Sequence, residues 1–217
     1  MTVFFYGHER NTFDRSDFTG NLREIRGAGV TMVILVPFWF QSDAASSVIA
    51  PDGGKTIPDS DFIAACSLVR NEGLELGVKP HINVLDGSER STLTPADLRT
   101  WKRYYLDFLL HYARIAFHTD ARIFCVGTEL MGISGDPGLW KEIVDSVRTV
   151  YPGPLTYSAC PQEALSIAFW RELDYIGVNA WFPLSLKDTP AYEDLLLSWG
   201  VWLRMIGDLS LKHGRDV

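Results

Sequence analysis

Basic clusters, membrane-length apolar runs, paired cysteines and phosphate-binding loops are all missing from this sequence, and each absence removes a class of function. Lys and Arg number 20 against 27 Asp and Glu, a formal net charge of −7 over 217 residues. The positive charges are scattered, so there is no basic stripe for a nucleic-acid backbone and no polybasic patch for a membrane. No apolar run reaches the ~18 residues of a bilayer span. The N-terminus, MTVFFYG, lacks the basic n-region of a signal peptide. That points to a cytoplasmic chain, or to one whose N-terminus has been trimmed. Cys66, Cys125 and Cys160 are isolated, with no C-x-x-C pair and no His at metal-ligand spacing. They read as small buried hydrophobes, and their odd number fits a reducing compartment. No metal or cofactor is implied.

What is present is a repeating switch of apolar period. Residues 3–6 form a short apolar run, and Phe18, Leu22 and Ile25 follow at helical spacing before Gly27 and Gly29. Residues 30–40 (VTMVILVPFWF) read as a buried strand with Pro37 near its end. Residues 41–58 read as an extended loop. Phe62, Cys66 and Val69 then share a helix face, and residues 74–84 (LELGVKPHINV) form the next strand. Thr94 as N-cap with Pro95 predicts the start of a long amphipathic helix carrying Trp101, Tyr105, Phe108 and Tyr112. Residues 123–127 are a strand, Asp136–Pro137 opens a helix, 155–159 is a strand, 164–170 a short helix and 175–178 a strand. Thr189–Pro190 is expected to cap a last helix with Leu195, Leu196, Trp199, Trp202, Leu203 and Ile206 on its buried side.

Strand and helix alternate six times, and the strands are continuously apolar. That is the pattern of a parallel sheet covered by helices, either an open doubly wound sheet or a closed β/α barrel. No G-x-G-x-x-G follows the first strand and no G-x-x-x-x-G-K-[ST] occurs anywhere, so the phosphate loops of nucleotide-binding open sheets are missing. Polar and aromatic residues gather instead where strands end: His8 and Glu9, Trp39 and Gln41, His81 and Asn83, Glu129, Tyr157, Asn179 and Trp181. A ring of this kind is what the active site of a (β/α) TIM-type barrel demands. Six units in 217 residues fall short of the about 250 residues that eight require. The expectation is one incomplete β/α-barrel catalytic domain, residues 1–217, with about six of eight units.

Glu129 is the sharpest residue. It ends a strand apolar on both faces, where a carboxylate must be hydrogen-bonded, paired or set at a polar opening. Such a group can act as a general acid; it can equally be an ordinary salt-bridged Glu at a strand-to-loop junction. Trp39, Phe40, Trp181 and Phe182 could stack on sugar rings or simply pack in the core. His81, Asn83, Asn179 and Gln41 could bond sugar hydroxyls. Lys79 could serve as a Schiff-base nucleophile or pair with a carboxylate. His8 and His81 are a weak metal signal, and no G-x-S-x-G elbow is present.

Segments 77–82 (GVKPHI), 124–130 (FCVGTEL), 153–159 (GPLTYSA), Phe169 with Trp170, and 173–184 (LDYIGVNAWFPL) together resemble glycoside hydrolase family 113. These are β-mannanase-like enzymes of a retaining clan built on β/α barrels. The resemblance implies that Glu129, at the end of the fourth strand, is the general acid/base. It implies a nucleophilic Glu at the end of the seventh strand, which here would begin near Asp216, so that the nucleophile is expected beyond Val217. Glu163, Glu172 and Glu193 fall on or near predicted helices instead. A retaining glycosidase needs both carboxyls, about 5–5.5 Å apart, so this chain alone is expected to show no useful turnover. The resemblance also implies an oligosaccharide or polysaccharide substrate, with Trp39, Lys79, His81, Asn83, Tyr157, Asn179 and Trp181 as substrate-binding candidates. The family pattern has Asp where Asn179 stands and Tyr where Trp181 stands, which bears on the choice of sugar. Two competing readings are a non-catalytic carbohydrate-binding or degenerate barrel, and a lyase using Lys79.

Overall fold

In the computed structural model, residues 2–4 and 15–217 are described. His8 and Glu9 lie outside them, as do residues 5 and 6 of the expected first strand. The strands are β1 (Thr2–Phe4), β2 (Met32–Val36), β3 (Phe38–Gln41), β4 (Glu75–Val78), β5 (His81–Val84), β6 (Ile123–Thr128), β7 (Leu155–Ala159) and β8 (Tyr175–Val178). The helices are α1 (Arg15–Gly27), α2 (Asp59–Asn71), α3 (Leu98–His118), α4 (Pro137–Arg148), α5 (Pro161–Ala164) and α6 (Tyr192–His213), with 3₁₀ turns at Arg90–Thr92 and Phe169–Glu172.

All pairings within the six-stranded sheet are parallel, in the order β1-β2-β4-β6-β7-β8. That order follows the chain without reversal. A doubly wound sheet turns back on itself at a switch point; a barrel does not, and this sheet is the arc of a β/α barrel. The strands expected over 30–40 and 74–84 are each broken in two. Pro37 divides β2 from β3, and Lys79 with Pro80 divides β4 from β5. The register Leu35 to Val78 and Phe38 to His81 sets the two prolines opposite each other. Neither can donate to the ladder, while Lys79 N and His81 N still donate to the carbonyls of Leu35 and Pro37.

The helix layer packs on the convex face of the sheet. Leu35, Leu76, Val126, Leu155 and Ile176 meet Phe62, Trp101, Tyr105, Phe108 and Trp140 in a continuous buried cluster. Each such large side chain contributes about 1.5–3 kcal/mol by leaving water. Asp136 caps α4 as expected, accepting from Gly138 N and Leu139 N with Pro137 in the first turn. The expected cap at Thr94 moves to Asp97, whose carboxylate takes Arg99 N and Thr100 N. Thr94 and Ala96 are held instead by the carbonyls of Ala44 and Ala45. The short helix expected over 164–170 is a four-residue α5 and a separate 3₁₀ turn. α6 begins after Ala191, with no side-chain cap, and buries only Leu209. The expected buried side of that helix is therefore largely open: Leu196, Trp199 and Leu203 are exposed. At the edge of the sheet, Asp216 bridges in parallel to Tyr175. No described helix is long and apolar enough to cross a membrane.

Candidate active site

The concave side of the sheet encloses about 640 Å³, lined by Met32, Ile34 and Ile123 and, towards the strands' C-terminal ends, by Lys79, Cys125, Ser158 and Asn179. Side chains alternate along a strand, so Lys79, His81 and Asn83 share this side. Gly77, two residues before Lys79, confirms the parity: an added Cβ would come within 3.0 Å of Ile34 and 3.1 Å of Ile123.

Glu129 reaches the opening through an irregular strand end. Cys125 lies opposite Thr156, but Thr128 lies opposite Ser158, so β6 carries one residue more than β7. This is a β-bulge, a device that re-aims a side chain. Cys125 and Thr128 consequently face the same way, their Sγ and Oγ1 atoms 3.9 Å apart. Gly127 turns to the helix layer, where a Cβ would lie 2.7 Å from both Trp140 and Tyr157, so only glycine fits. Glu129 then adopts a left-handed backbone, φ 52°, which costs a non-glycine residue roughly 1–2 kcal/mol. Its amide still donates to the Ser158 carbonyl at 3.0 Å.

The Glu129 carboxylate is half-buried and accepts from Asn179 Nδ2 at 2.8 Å. Asn179 Oδ1 accepts from Ser158 Oγ at 2.7 Å and from Lys79 Nζ at 3.1 Å, and Lys79 Nζ also donates to Ser158 Oγ at 2.9 Å. This fixes the amide's orientation, since the reverse would set its NH₂ against an ammonium group. Lys79 is bonded to neutral oxygens and meets the Glu129 carboxylate only through Asn179. Burial holds its ammonium below the ordinary 10.5; nearby Cys125 and Glu129 oppose that shift and Arg90 adds to it.

His81 is the second polar centre. Arg90 Nη1 donates to its Nδ1 at 2.5 Å, and Arg90 Nη2 donates to Asn83 Oδ1 at 3.4 Å. A guanidinium only donates, so the ring proton sits on Nε2. Burial, then Arg90 and Lys79, push the ring well below its ordinary 6.5, and it is neutral at neutral pH.

Lys79, His81, Asn83, Glu129 and Asn179 are thus brought together. Trp181 stands on the rim, 84% exposed, its amide donating to the Asn179 carbonyl. Four expected contributors are elsewhere. Trp39 points to the helix layer, packing on Phe108, His111 and Tyr112; on this strand Phe38, edge-on to His81 at 5.6 Å, takes the inner position. Tyr157 is likewise turned outward and buried between Trp140 and Phe169. Gln41 is buried, taking Trp101 Nε1 and donating to the Asp43 carbonyl. Phe182 stacks on Trp202 of α6 at 4.8 Å. Ser158 was missed, although it alternates with Tyr157 and carried a readable parity signal. Among the described residues, no cluster of three or more His, Cys, Asp or Glu is placed to hold a metal ion.

Comparison with known proteins follows the same lines. The sequence profile of Glycoside Hydrolase Family 113 matches residues 1–217. No curated protein matches the sequence. Among solved structures, a GH113 beta-1,4-mannanase in a complex superposes with TM-score 0.87 at 22% identity, covering 99% of this chain and 68% of that one. A GH113 beta-mannanase from Alicyclobacillus acidocaldarius, in complex with ManMIm, gives TM-score 0.87 at 22% identity, covering 99% of this chain and 67% of that one. A putative glycoside hydrolase from Parabacteroides distasonis gives TM-score 0.55 at 11% identity, covering 100% of this chain and 74% of that one. The chain thus spans about two thirds of the length of the GH113 structures it is similar to.

Proposed function

This chain belongs to glycoside hydrolase family 113, and from that premise we propose that it carries the acid/base half of a retaining site for β-mannan-type or related β-linked oligosaccharides. Glu129 is the general acid/base. It protonates the leaving glycosidic oxygen and then activates water, while a second carboxylate attacks the anomeric carbon. The observation that carries this reading is the re-aimed Glu129 carboxylate, accepting from Asn179 at 2.8 Å at the C-terminal rim. Barrel enzymes place their chemistry at that rim. Lys79, through Asn179 and Ser158, sets the amide that holds Glu129. Asn83 and Arg90, both partly exposed, present polar groups to sugar hydroxyls, the buried His81 holds the Arg90 guanidinium, and the exposed Trp181 offers a face for a sugar ring to stack on.

Among the described residues, the groups bonded around Glu129 are neutral or cationic, and no second carboxylate joins that network. Following the family resemblance, which sets the nucleophile at the end of a seventh strand, we assign it to a carboxylate beyond Val217. The same observation favours a second reading, a barrel that binds carbohydrate without cleaving it.

Calorimetric titration and hydrolysis of β-1,4-manno-oligosaccharides by this chain, with and without Glu129→Gln, test both. The expected result is binding without turnover. Turnover abolished by Glu129→Gln would keep the acid/base and disprove the external nucleophile. Failure to bind any β-linked oligosaccharide would end both readings.

A further inference from the structure

Glu163 is fully buried, 0% exposed. It lies on a four-residue helix, where an exposed side chain would cap equally well. Removing a carboxylate from water is costly unless every lone pair is used. Here Tyr157 Oη donates to Glu163 Oε1 at 2.6 Å, Cys160 N donates to Oε2 at 3.3 Å, and Ser134 adds a side-chain bond. The Tyr157 oxygen in turn accepts from Leu130 N at 2.7 Å. The bonds run one way, from the Leu130 amide through the phenol to the carboxylate, and such chains polarise one another. Leu130 directly follows Glu129, whose left-handed backbone turns the acid towards the opening. On the other side of the bulge, Tyr105 Oη donates to the Val126 carbonyl at 2.6 Å. Two buried phenols therefore grip the backbone on either side of the strained turn, and Glu163 fixes one of them.

Resting on the acid/base reading of Glu129, we propose that Glu163 and Tyr157 are a positioning pair: they clamp the Leu130 amide from the helix layer and so aim the Glu129 carboxyl into the barrel opening. The pair itself touches no substrate. It also joins the two carboxyls electrically. Burial raises the Glu163 carboxyl above its ordinary 4.5, and bonds from Tyr157, Ser134 and Cys160 oppose that shift; the Glu129 charge raises it further. These are the groups that face Glu163 from β7, from the turn ahead of α4, from the α5 cap and from the end of β6.

The test uses the whole chain, isotope-labelled and without sugar, read by NMR across the carboxylate pH range. In the unaltered protein the Leu130 amide resonance follows Glu163 protonation, because both act on one phenol oxygen. Glu163→Gln keeps an acceptor for Tyr157 and abolishes that titration. Tyr157→Phe abolishes it too and speeds Leu130 amide exchange about three- to tenfold, the worth of one hydrogen bond. Both substitutions shift the Asn179 side-chain amide resonance, which reports the contact with Glu129. Glu129→Gln leaves the Leu130 titration in place and moves its midpoint down, since a negative neighbour has gone. A Leu130 resonance indifferent to pH, or an Asn179 amide unmoved by both substitutions, overturns the proposal. If Tyr157→Phe fails to fold, Glu163→Gln decides alone. Turnover that survives Glu129→Gln, with Leu130 and Asn179 responding as stated, sinks the acid/base reading and leaves the clamp standing.

Discussion

α3 and α6 are nearly equal in length and both carry apolar side chains at helical spacing, yet α3 buries eight of its 21 residues and α6 one of its 22. The difference lies in their neighbours. α3 packs against β4, β6 and α4, so its apolar stripe has a floor on both sides. α6 follows β8, the last strand of the described sheet. It finds a partner for Leu209 and meets Phe182 through Trp199 and Trp202. A stripe in the sequence states a demand for burial, and the topology decides where that demand is met.

The sharpest way to break this comparison is to remove a large side chain from the well-floored helix. Trp101 is fully buried, stacked on Tyr105 at 4.5 Å and bonded through Nε1 to Gln41. Trp101→Ala is expected to cost about 3–5 kcal/mol, from lost transfer energy and an unfilled cavity. Urea unfolding followed by circular dichroism reads it. A loss below about 1 kcal/mol would mean that the α3 side is no better packed than the α6 side.

A second prediction concerns the polar rim that this packing supports. The His81 ring is held well below 6.5 in the folded protein, whereas in the unfolded chain it ionises near 6.5. Below that pH the unfolded state binds a proton that the folded state refuses. Stability should therefore fall as pH drops through 6.5 towards the folded value, by up to about 1.4 kcal/mol per pH unit. Glu163 works in the opposite sense: its folded pKa is raised above 4.5, so its contribution improves as pH falls through the folded value towards 4.5. Stability measured against pH in Glu163→Gln removes that opposition and leaves the His81 slope, which His81→Gln should flatten. A profile that does not change between the parent chain and His81→Gln would show that the ring is not held neutral by its surroundings.

How much of this was legible beforehand follows from one physical fact: alternation can be read only where the two faces of a strand differ. Lys79, His81 and Asn83 are polar at every second position, so their shared side was visible, and so was Asn179 after an apolar strand. In FWF around Trp39 both faces are apolar, and nothing in the sequence says that Phe38 points inward and Trp39 out. Tyr157 and Ser158 posed the same problem, and the aromatic was given the role that Ser158 fills. Glu129 was found for its chemistry, but its route to the opening was not. A regular strand continuing from inward-facing Cys125 would have turned Gly127 inward as well. The bulge sends Gly127 to Trp140 and Tyr157, and the left-handed turn brings the carboxylate back. The tight space around Gly127 and the grip on Leu130 come from residues distant in sequence, and no local pattern announces them.

The smallest expected effect completes the contrast between the helices. Leu197 on α6 is 72% exposed, and it lies off the apolar face marked by Leu195, Leu196, Trp199, Trp202, Leu203 and Ile206. Leu197→Ala removes apolar atoms that already touch water, so neither a transfer term nor a cavity is at stake, and alanine is the better helix former. The change in unfolding free energy should stay within about 0.5 kcal/mol, an order of magnitude below Trp101→Ala. A loss of 2 kcal/mol or more, on the scale of about 2–5 expected for truncating a buried leucine, would mean that Leu197 is covered in solution. In that case the equality of the two helices suggested by their sequences would be real.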